Sequence, residues 1–273
     1  MPHIKINRAN LFYQVLGPRS GPAIVMVHGL YTHHGIYFWC GAKDLANQGF
    51  RVILYDLRGH GFSTGDSHGF RLDRMSEDLI GLMDGLNIDQ ALLVGYSFGG
   101  TVVVNTAARY PQRVLGISIL EASGLNPDPV LEAKDTDRAI QETLDGYSAS
   151  LGMKLPLRSR NQFSDRVHDL IDAGLLDDLR ADAGFFYRLD WSLVRCPAIL
   201  IYGTSSPYSE DGRWVEAHMP TASCFWLDGD HNMVVRQGKD VAQRLEVFFR
   251  SVSGRSQEYP ASEDVTEVMD GHH

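Results

Sequence analysis

Residues 91–110 have the sequence ALLVGYSFGGTVVVNTAARY, and this stretch decides the fold. The apolar residues 91–94 predict a short buried strand, and the Ala- and Val-rich residues from Phe98 to Tyr110 predict a helix. Between them lies a Gly-x-Ser-x-Gly motif at residues 95–99. A serine on a tight turn from strand to helix is exposed at the sheet edge, where it can act as a nucleophile. We therefore predict that Ser97 is a nucleophile; the alternative is a glycine-rich turn without chemistry.

Two glycines surround the predicted nucleophile for a steric reason. A serine at such a turn has strained backbone angles, and a Cβ at Gly95 or Gly99 would clash with the neighbouring backbone. The helix that begins at Phe98 brings backbone N–H groups and the positive end of its dipole close to Ser97. The N–H of Phe98 is therefore a predicted donor to an oxyanion.

A second oxyanion donor is expected from the loop after residues 23–27, another apolar run that predicts a buried strand. Acyl transfer needs two N–H groups directed at the developing negative charge. The loop begins with His28, Gly29 and Leu30, and the N–H of Leu30 is the best candidate. His28 is predicted to hold the shape of the loop rather than to act as a base.

Apolar runs and helical patterns alternate along most of the chain. This alternation predicts an α/β fold, with a mostly parallel central sheet of about eight strands and helices on both faces. The predicted strands are His3–Arg8, Leu11–Leu16, Ala23–Val27, Val52–Tyr55, Leu92–Val94, Val114–Leu120, Ala198–Tyr202 and Cys224–Leu227, and the predicted core helices are Arg74–Leu86, Phe98–Tyr110 and Val241–Val252.

One long interval lacks a clear buried strand. Residues 124–194 show helical patterns instead, for example in Ala133–Leu144 and Asp165–Leu176. An insertion of this length between two core strands predicts a helical cap, and it divides the core into residues 1–123 and 195–252. The polar, unpatterned residues 253–273 predict a disordered tail.

The composition places the chain among ordinary globular proteins. Of its 273 residues, 44% are hydrophobic and 22% are charged, which suits one catalytic domain with a large core. A formal net charge of -9 argues against nucleic acid or an anionic membrane as the main partner. Three widely spaced cysteines favour reduced thiols. With neither a signal-peptide pattern nor a membrane-spanning apolar stretch, we expect a cytoplasmic protein without membrane insertion. The oligomeric state is left open.

His231 is the predicted general base. It follows the predicted strand Cys224–Leu227 through Asp228, Gly229 and Asp230, so it lies late in the chain and at the edge of the sheet where Ser97 is expected. The alternative is a solvated loop histidine. Other histidines do not follow a core strand in this way, among them His33, His34, His68 and His218.

These motifs together resemble the α/β-hydrolase fold superfamily over about residues 3–252. The matching segments are His28-Gly29, Asp56-Leu57-Arg58-Gly59-His60-Gly61, Gly95–Gly100 and Gly229-Asp230-His231. The Arg-Gly-His-Gly turn is typical of the subgroup that contains epoxide hydrolases, dehalogenases, haloperoxidases and C–C hydrolases. Epoxide hydrolases and dehalogenases attack with Asp, so Ser97 argues against both reactions. His60 is expected to be structural.

The resemblance also shows a departure at the catalytic acid. Family members usually carry Asp a few residues after the next-to-last core strand, where this chain has Ser206. A hydroxyl supplies no charge to stabilise an imidazolium. Some members place the acid at the end of the preceding strand, and Glu121 stands there in this chain. We predict that Glu121 is the triad acid; it could instead cap the start of the inserted region, and Glu210, Asp211, Asp228 and Asp230 are alternative acids.

Aromatic residues near the predicted site favour an apolar small-molecule substrate. Tyr31 follows the oxyanion loop, Tyr96 precedes Ser97, and Phe186 and Trp191 lie in the inserted region, where they could cover the site. No arginine cluster or glycine-rich loop indicates phosphate binding, and no metal or cofactor is implied.

The sequence thus predicts a serine hydrolase that cleaves an apolar carboxylic ester or thioester through an acyl-serine intermediate. Other chemistries use the same scaffold. The alternatives are a C–C bond hydrolase, a metal-free haloperoxidase and a cofactor-free dioxygenase, and beyond enzymes a non-catalytic binding protein.

Overall fold

The computed structural model describes residues 2–124, 136–152, 154–219 and 222–254. Eight strands form one sheet in the order β1-β2-β4-β3-β5-β6-β7-β8. The first two strands are antiparallel to their neighbours, and the pairs from β4 to β8 are parallel. The predicted mostly parallel sheet is therefore confirmed. The strands are β1 His3–Ile6, β2 Ala9–Leu16, β3 Ala23–Val27, β4 Arg51–Tyr55, β5 Ala91–Tyr96, β6 Val114–Leu120, β7 Ala198–Gly203 and β8 Ser223–Leu227.

Helices cover both faces of the sheet, because successive residues of the central strands point to opposite sides and are buried on each. In β3, Val25 packs in one apolar cluster with helices α2 (Leu72–Gly85) and α3 (Phe98–Arg109). Its neighbour Met26 packs in the other cluster with α1 (Ala42–Asn47) and a C-terminal helix, Gly238–Val252. Continuous burial of this kind is what a parallel strand between two helical layers requires.

Four helices lie between β6 and β7 in the part of the insertion that the structure describes. They are α4 Thr136–Leu151, α5 Leu157–Asp172, α6 Leu175–Asp182 and α7 Phe185–Arg188, and they are followed by a 3₁₀ turn, Trp191–Leu193. The helical character predicted for this interval agrees with them, and its division from the core as a cap stays a prediction. The predicted helix Asp165–Leu176 is instead interrupted at Gly174, which has a φ of 91° and ends one helix before the next begins.

Two carboxylates of α6 attach the insertion to the core. Asp178 accepts the backbone N–H of Phe70 at 2.8 Å, and Asp182 accepts that of Leu72 at 2.8 Å. Asp182 also pairs with the guanidinium of Arg71 at 2.7 Å. These contacts satisfy N–H groups at the start of α2, which its own side chains leave without a cap.

Three helices complete the core at its C-terminal end: α8 Ser209–His218, α9 Met233–Arg236 and α10 Gly238–Val252. Sequence patterns alone did not identify α1, α8 or α9, which are short. None of the helices that the structure describes combines the length and apolar character needed to cross a bilayer. Residues 255–273, which include nearly all of the predicted tail, and residues 133–135 of a predicted cap helix lie outside the described residues.

Candidate active site

Ser97 lies on the turn between β5 and α3, with a φ of 54° and a ψ of -127°. This conformation is strained for a residue with a side chain, and such strain is concentrated at functional sites. The turn needs its glycines, because a Cβ at Gly95 would be 2.2 Å from the carbonyl oxygen of Gly99. A Cβ at Gly99 would lie 1.9 Å from the carbonyl oxygen of Val27. The steric argument made from the motif therefore holds in the structure.

The loop after β3 passes directly against the predicted nucleophile. A Cβ at Gly29 would be 2.9 Å from Ser97 Cβ and 3.4 Å from Ser97 Oγ. The two predicted oxyanion donors flank this contact, since Leu30 follows Gly29 and Phe98 follows Ser97. Within the described part of the chain, neither backbone N–H donates to another residue. Both are therefore free to meet a charge that develops next to Ser97 Oγ.

His28 holds this loop in place. Its Nε2 accepts the backbone N–H of Leu57 at 3.0 Å, so its Nδ1 carries the proton and donates to the carbonyl oxygen of Gly29 at 2.7 Å. Thr32 donates to the same carbonyl at 2.9 Å. Burial, and then the neighbouring His60, lowers the pKa of His28 to about 3. A histidine that stays neutral and uses both nitrogens in the loop agrees with the structural role predicted for it.

His231 lies in the loop between β8 and α9, and two tyrosines hold its ring. The ring of Tyr96 stacks on it with centroids 5.0 Å apart and planes 17° apart, and Tyr208 meets it edge-on at 4.7 Å. The hydroxyl of Tyr96 also donates to the backbone oxygen of His231 at 3.2 Å. Because Tyr96 precedes Ser97, this contact holds the imidazole beside the nucleophile turn. Among the described residues, no hydrogen bond yet joins the Ser97 hydroxyl to His231, a contact that commonly tightens only when substrate binds.

Glu121 is the carboxylate within hydrogen-bond distance of the imidazole. Its Oε2 lies 3.1 Å from Nδ1 of His231, and its side chain is completely buried. A carboxylate only accepts, so Nδ1 carries the proton and Nε2 is left with the lone pair that a general base needs. Glu121 stands directly after β6 with a positive φ of 54°, and its own N–H continues the ladder to the carbonyl oxygen of Ile201 at 3.0 Å.

Two donors from the loop after β7 also bind this carboxylate. The backbone N–H of Gly203 donates to Oε1, and the hydroxyl of Ser206 donates to Oε2 at 2.5 Å. Sequence reasoning noticed Ser206 only as the place where Asp was expected. It missed these contacts, because they depend on the pairing of β6 with β7 across the inserted helices. A buried polar residue at the position of a missing acid was the signal that could have indicated them.

The alternative acids have other partners. Asp211 accepts the hydroxyl of Tyr187 at 2.8 Å, and burial raises its pKa. Asp230 pairs with the guanidinium of Arg236 at 2.6 Å, and Asp228 lies 3.4 Å from the hydroxyl of Thr204. Glu210 is exposed on α8.

The four predicted substrate-binding residues lie in different settings. Tyr31 contacts Phe163 of α5, with ring centroids 6.5 Å apart, so it links the oxyanion loop to the inserted helices. Tyr96 is buried against His231. Phe186 and Trp191 are buried together, with ring centroids 5.5 Å apart and the indole N–H donating to the carbonyl oxygen of Phe186 at 3.0 Å. Their roles in binding stay predictions.

One group of potential metal ligands occurs in the described part of the chain. His33, His34 and Asp56 each place a ligand atom within 4.8 Å of the others. Hydrogen bonds already account for this cluster, because Asp56 accepts both the backbone N–H and the ring Nδ1 of His34, at 2.7 and 2.8 Å. The backbone N–H of Phe62 donates to the other carboxylate oxygen of Asp56 at 2.8 Å.

Comparison with known proteins agrees with this fold. The model of the α/β hydrolase fold family matches residues 22–152. A thermophilic esterase from Thermogutta terrifontis superposes with a TM-score of 0.74 at 20% identity, covering 92% of this chain and 99% of its own. The chain therefore has the α/β-hydrolase fold, as its motifs predicted.

Proteins similar in sequence indicate which kind of reaction occurs on this fold. The chain is 24% identical over 254 residues to 3-oxoadipate enol-lactonase 1 of Acinetobacter baylyi, covering 89% of this chain and 94% of the relative. It is 29% identical over 231 residues to a pimeloyl-acyl-carrier-protein methyl ester esterase of Chromobacterium violaceum, covering 78% and 87%. These relatives support a hydrolase activity on this fold.

Proposed function

We propose that this protein is a serine hydrolase that cleaves an apolar carboxylic ester or thioester, with Ser97, His231 and Glu121 as its catalytic triad. The observation that carries the proposal is the hydrogen bond between His231 Nδ1 and Glu121, formed beside a serine in a strained nucleophile turn. A carboxylate on Nδ1 fixes the tautomer that leaves Nε2 as the base, and it stabilises the imidazolium that forms.

The reaction follows from these roles. Nε2 of His231 takes the proton of the Ser97 hydroxyl while Oγ bonds to the substrate carbonyl carbon, and the carbonyl electrons move onto its oxygen. The N–H groups of Phe98 and Leu30 stabilise this oxyanion, each by a few kcal/mol, about 3 in comparable sites. The oxyanion collapses and expels the alcohol or thiol, which receives the proton from His231. Water, activated in the same way, then releases the carboxylic acid and frees Ser97.

The substrate class is supported by relatives and by surrounding side chains. The two relatives described above carry names that state action on a lactone and on a methyl ester. Around the site, Tyr31 and Phe163 bring aromatic surface from the oxyanion loop and the inserted helices together. Apolar walls with few polar groups are typical of small-molecule pockets. We expect uncharged, apolar acyl groups to be better substrates than charged ones.

Labelling with a fluorophosphonate tests the nucleophile directly. The full chain should form a covalent adduct at Ser97 and hydrolyse p-nitrophenyl butyrate, and Ser97→Ala should lose both. Ser205→Ala is the matched control, because Ser205 is an exposed serine of the neighbouring loop and should leave both intact. Mass spectrometry of the digested adduct locates the label.

Each of the other outcomes would favour a different alternative or refute the assignment. No label and no turnover in folded protein would favour a binding protein. Oxygen consumption without ester turnover would favour a cofactor-free dioxygenase, and a label that persists in Ser97→Ala would refute the nucleophile assignment.

A further inference from the structure

The loop after β7 surrounds the carboxylate of Glu121 with donors instead of supplying an acid. Gly203 donates its backbone N–H to one oxygen, and Ser206 donates its hydroxyl to the other, 2.5 Å away. The oxygen bound by Ser206 is the one that meets His231. The same loop also brings the ring of Tyr208 against the imidazole. A loop that holds both members of the pair is placed to control how they share a proton.

Two hydrogen bonds fix the orientation of the Ser206 hydroxyl, one that it accepts and one that it donates. Its Oγ accepts the backbone N–H of Tyr208 at 3.1 Å, so its single proton is left to donate to Glu121. The residue is 5% exposed, which removes water as a competing partner. Its backbone N–H donates to the carbonyl oxygen of Gly203 at 3.2 Å, and this turn holds the side chain in place.

We propose that Ser206 is a positioning residue that acts through Glu121 to set the basicity of His231; this inference rests on the proposed function. When His231 is neutral, Glu121 is a buried anion, and the Ser206 hydroxyl stabilises it strongly. When His231 is protonated, the imidazolium neutralises the carboxylate, and the same hydroxyl contributes less. Ser206 therefore favours the neutral imidazole, which is the form that accepts the proton of Ser97.

Other ionisable groups around the pair were weighed for the same role. Asp230, next to His231 in the chain, is already paired with Arg236 at 2.6 Å. Burial raises the pKa of Tyr202 well above its usual range, so this neighbour of Glu121 stays uncharged. Tyr96 and Tyr208 face the ring of His231 as neutral phenols at neutral pH. Within the described residues, Ser206 is the side chain other than His231 whose hydrogen bond to the Glu121 carboxylate can be removed by mutation.

Replacement of Ser206 by alanine tests the inference in the full-length enzyme. In Ser206→Ala, kcat for p-nitrophenyl butyrate measured below the pKa of the acidic limb should fall about 3- to 10-fold, which is the change that a rise of 0.5 to 1 in that pKa produces, with little change in KM because Ser206 is not placed against substrate. The pKa on the acidic limb of the pH–rate profile should rise by about 0.5 to 1, since the neutral imidazole is less favoured. Ser206→Thr, which keeps the hydroxyl, should restore both, and Ser205→Ala should match the wild type.

Titration of His231 by NMR makes the test independent of turnover. The imidazole pKa should rise in Ser206→Ala and return to the wild-type value in Ser206→Thr. An unchanged titration and an unchanged pH profile in folded Ser206→Ala would overturn the inference while the proposed function stands. If Ser97 is not labelled but the titration shifts, the proposed function fails and the link from Ser206 to His231 holds. Equal defects in the Ala and Thr variants would show that only packing matters at this position.

Discussion

Two buried carboxylates at the same edge of the sheet each bind a histidine, yet only the pair at Glu121 belongs to the proposed triad. Asp56, after β4, accepts from Nδ1 of His34 at 2.8 Å, and Glu121, after β6, accepts from Nδ1 of His231 at 3.1 Å. Both carboxylates are fully buried, and both also accept a backbone N–H. The pairs differ in their surroundings: the His34 side chain is 10% exposed, and that of His231 is 24% exposed beside Tyr96 and the Ser97 turn.

The backbone also distinguishes the two carboxylates. Glu121 has a positive φ of 54°, whereas Asp56 is not among the residues with positive φ. Asp56 is enclosed by its own loop, because a Cβ at Gly61 would lie 2.1 Å from its Oδ2. A histidine–carboxylate pair is therefore not by itself a catalytic device. The proposed nucleophile beside the imidazole, and a positive φ in the backbone, distinguish the pair at Glu121 from the pair at Asp56.

The largest expected effect is the loss of activity when the carboxylate of the Glu121–His231 pair loses its charge. Glu121→Gln keeps the shape of the side chain but removes the charge and the fixed tautomer, so kcat should fall by about 10³- to 10⁴-fold. The thermal midpoint should change little. Steady-state kinetics with p-nitrophenyl butyrate, alongside a melting curve, measure both. A variant with near-normal turnover would show that the catalytic acid lies elsewhere.

The second effect concerns stability at Asp56. Burial raises the pKa of Asp56, but the hydrogen bonds from His34 and Phe62, together with the charge interaction with His28, outweigh it, and the net pKa is lowered from 3.8 to about 2. A lowering of this size corresponds to about 2.5 kcal/mol of stability. Asp56→Asn should lose about that much in urea unfolding while the folded fraction keeps its kcat within about 3-fold. Loss of turnover without loss of stability would reverse the roles of the two pairs.

The pH dependence of unfolding checks the origin of that stability. A folded pKa below the unfolded one means that the contribution of Asp56 is fully present above about pH 4. It is lost as pH falls through the folded pKa, which is about 2. Wild-type stability should therefore decline more steeply between about pH 4 and 2 than that of Asp56→Asn. Parallel curves in this window would contradict the hydrogen-bond explanation.

The smallest effect concerns the backbone. Glu121→Gly and Glu121→Ala both delete the carboxylate, but glycine adopts a positive φ without strain. The Gly variant should be more stable than the Ala variant by about 1 kcal/mol. At Asp56, the Gly variant should be no more stable than the Ala variant. Urea unfolding of the four variants gives the comparison, and equal stability of the two Glu121 variants would show that the turn relaxes.

The fold could be predicted from sequence because the decisive signals are local. Each buried strand is a short apolar run that ends at a turn residue, and the predicted boundaries of the strands differ from the observed ones by two residues at most. Helices shorter than a few turns were missed, since they carry too few residues to show a period. The break at Gly174 was missed because apolar residues continue on both sides of it.

The candidate site could be inferred from sequence only where a residue follows a strand. Ser97 and Glu121 directly follow β5 and β6, and His231 closely follows β8, so the order of strands brings them to one edge. The hydroxyl of Ser206, and the pairing of Asp56 with His34, depend on the paths of loops and on contacts between distant segments. No local pattern encodes such contacts, so the sequence did not distinguish the two histidine–carboxylate pairs by their partners.

The position of Glu121 in the hydrogen-bond ladder between β6 and β7 has a consequence for how the range of substrates can change. Its N–H donates to β7, and Gly203 donates back to its side chain, so the proposed acid is fastened to the sheet at the end of β6. The proposed proton-transfer residues thus take their geometry from strand pairing, and the inserted helices contribute Phe163, which contacts Tyr31 of the loop after β3. Under the proposed function, exchange of the described helices of the insertion should therefore change which molecules enter without rebuilding the chemistry.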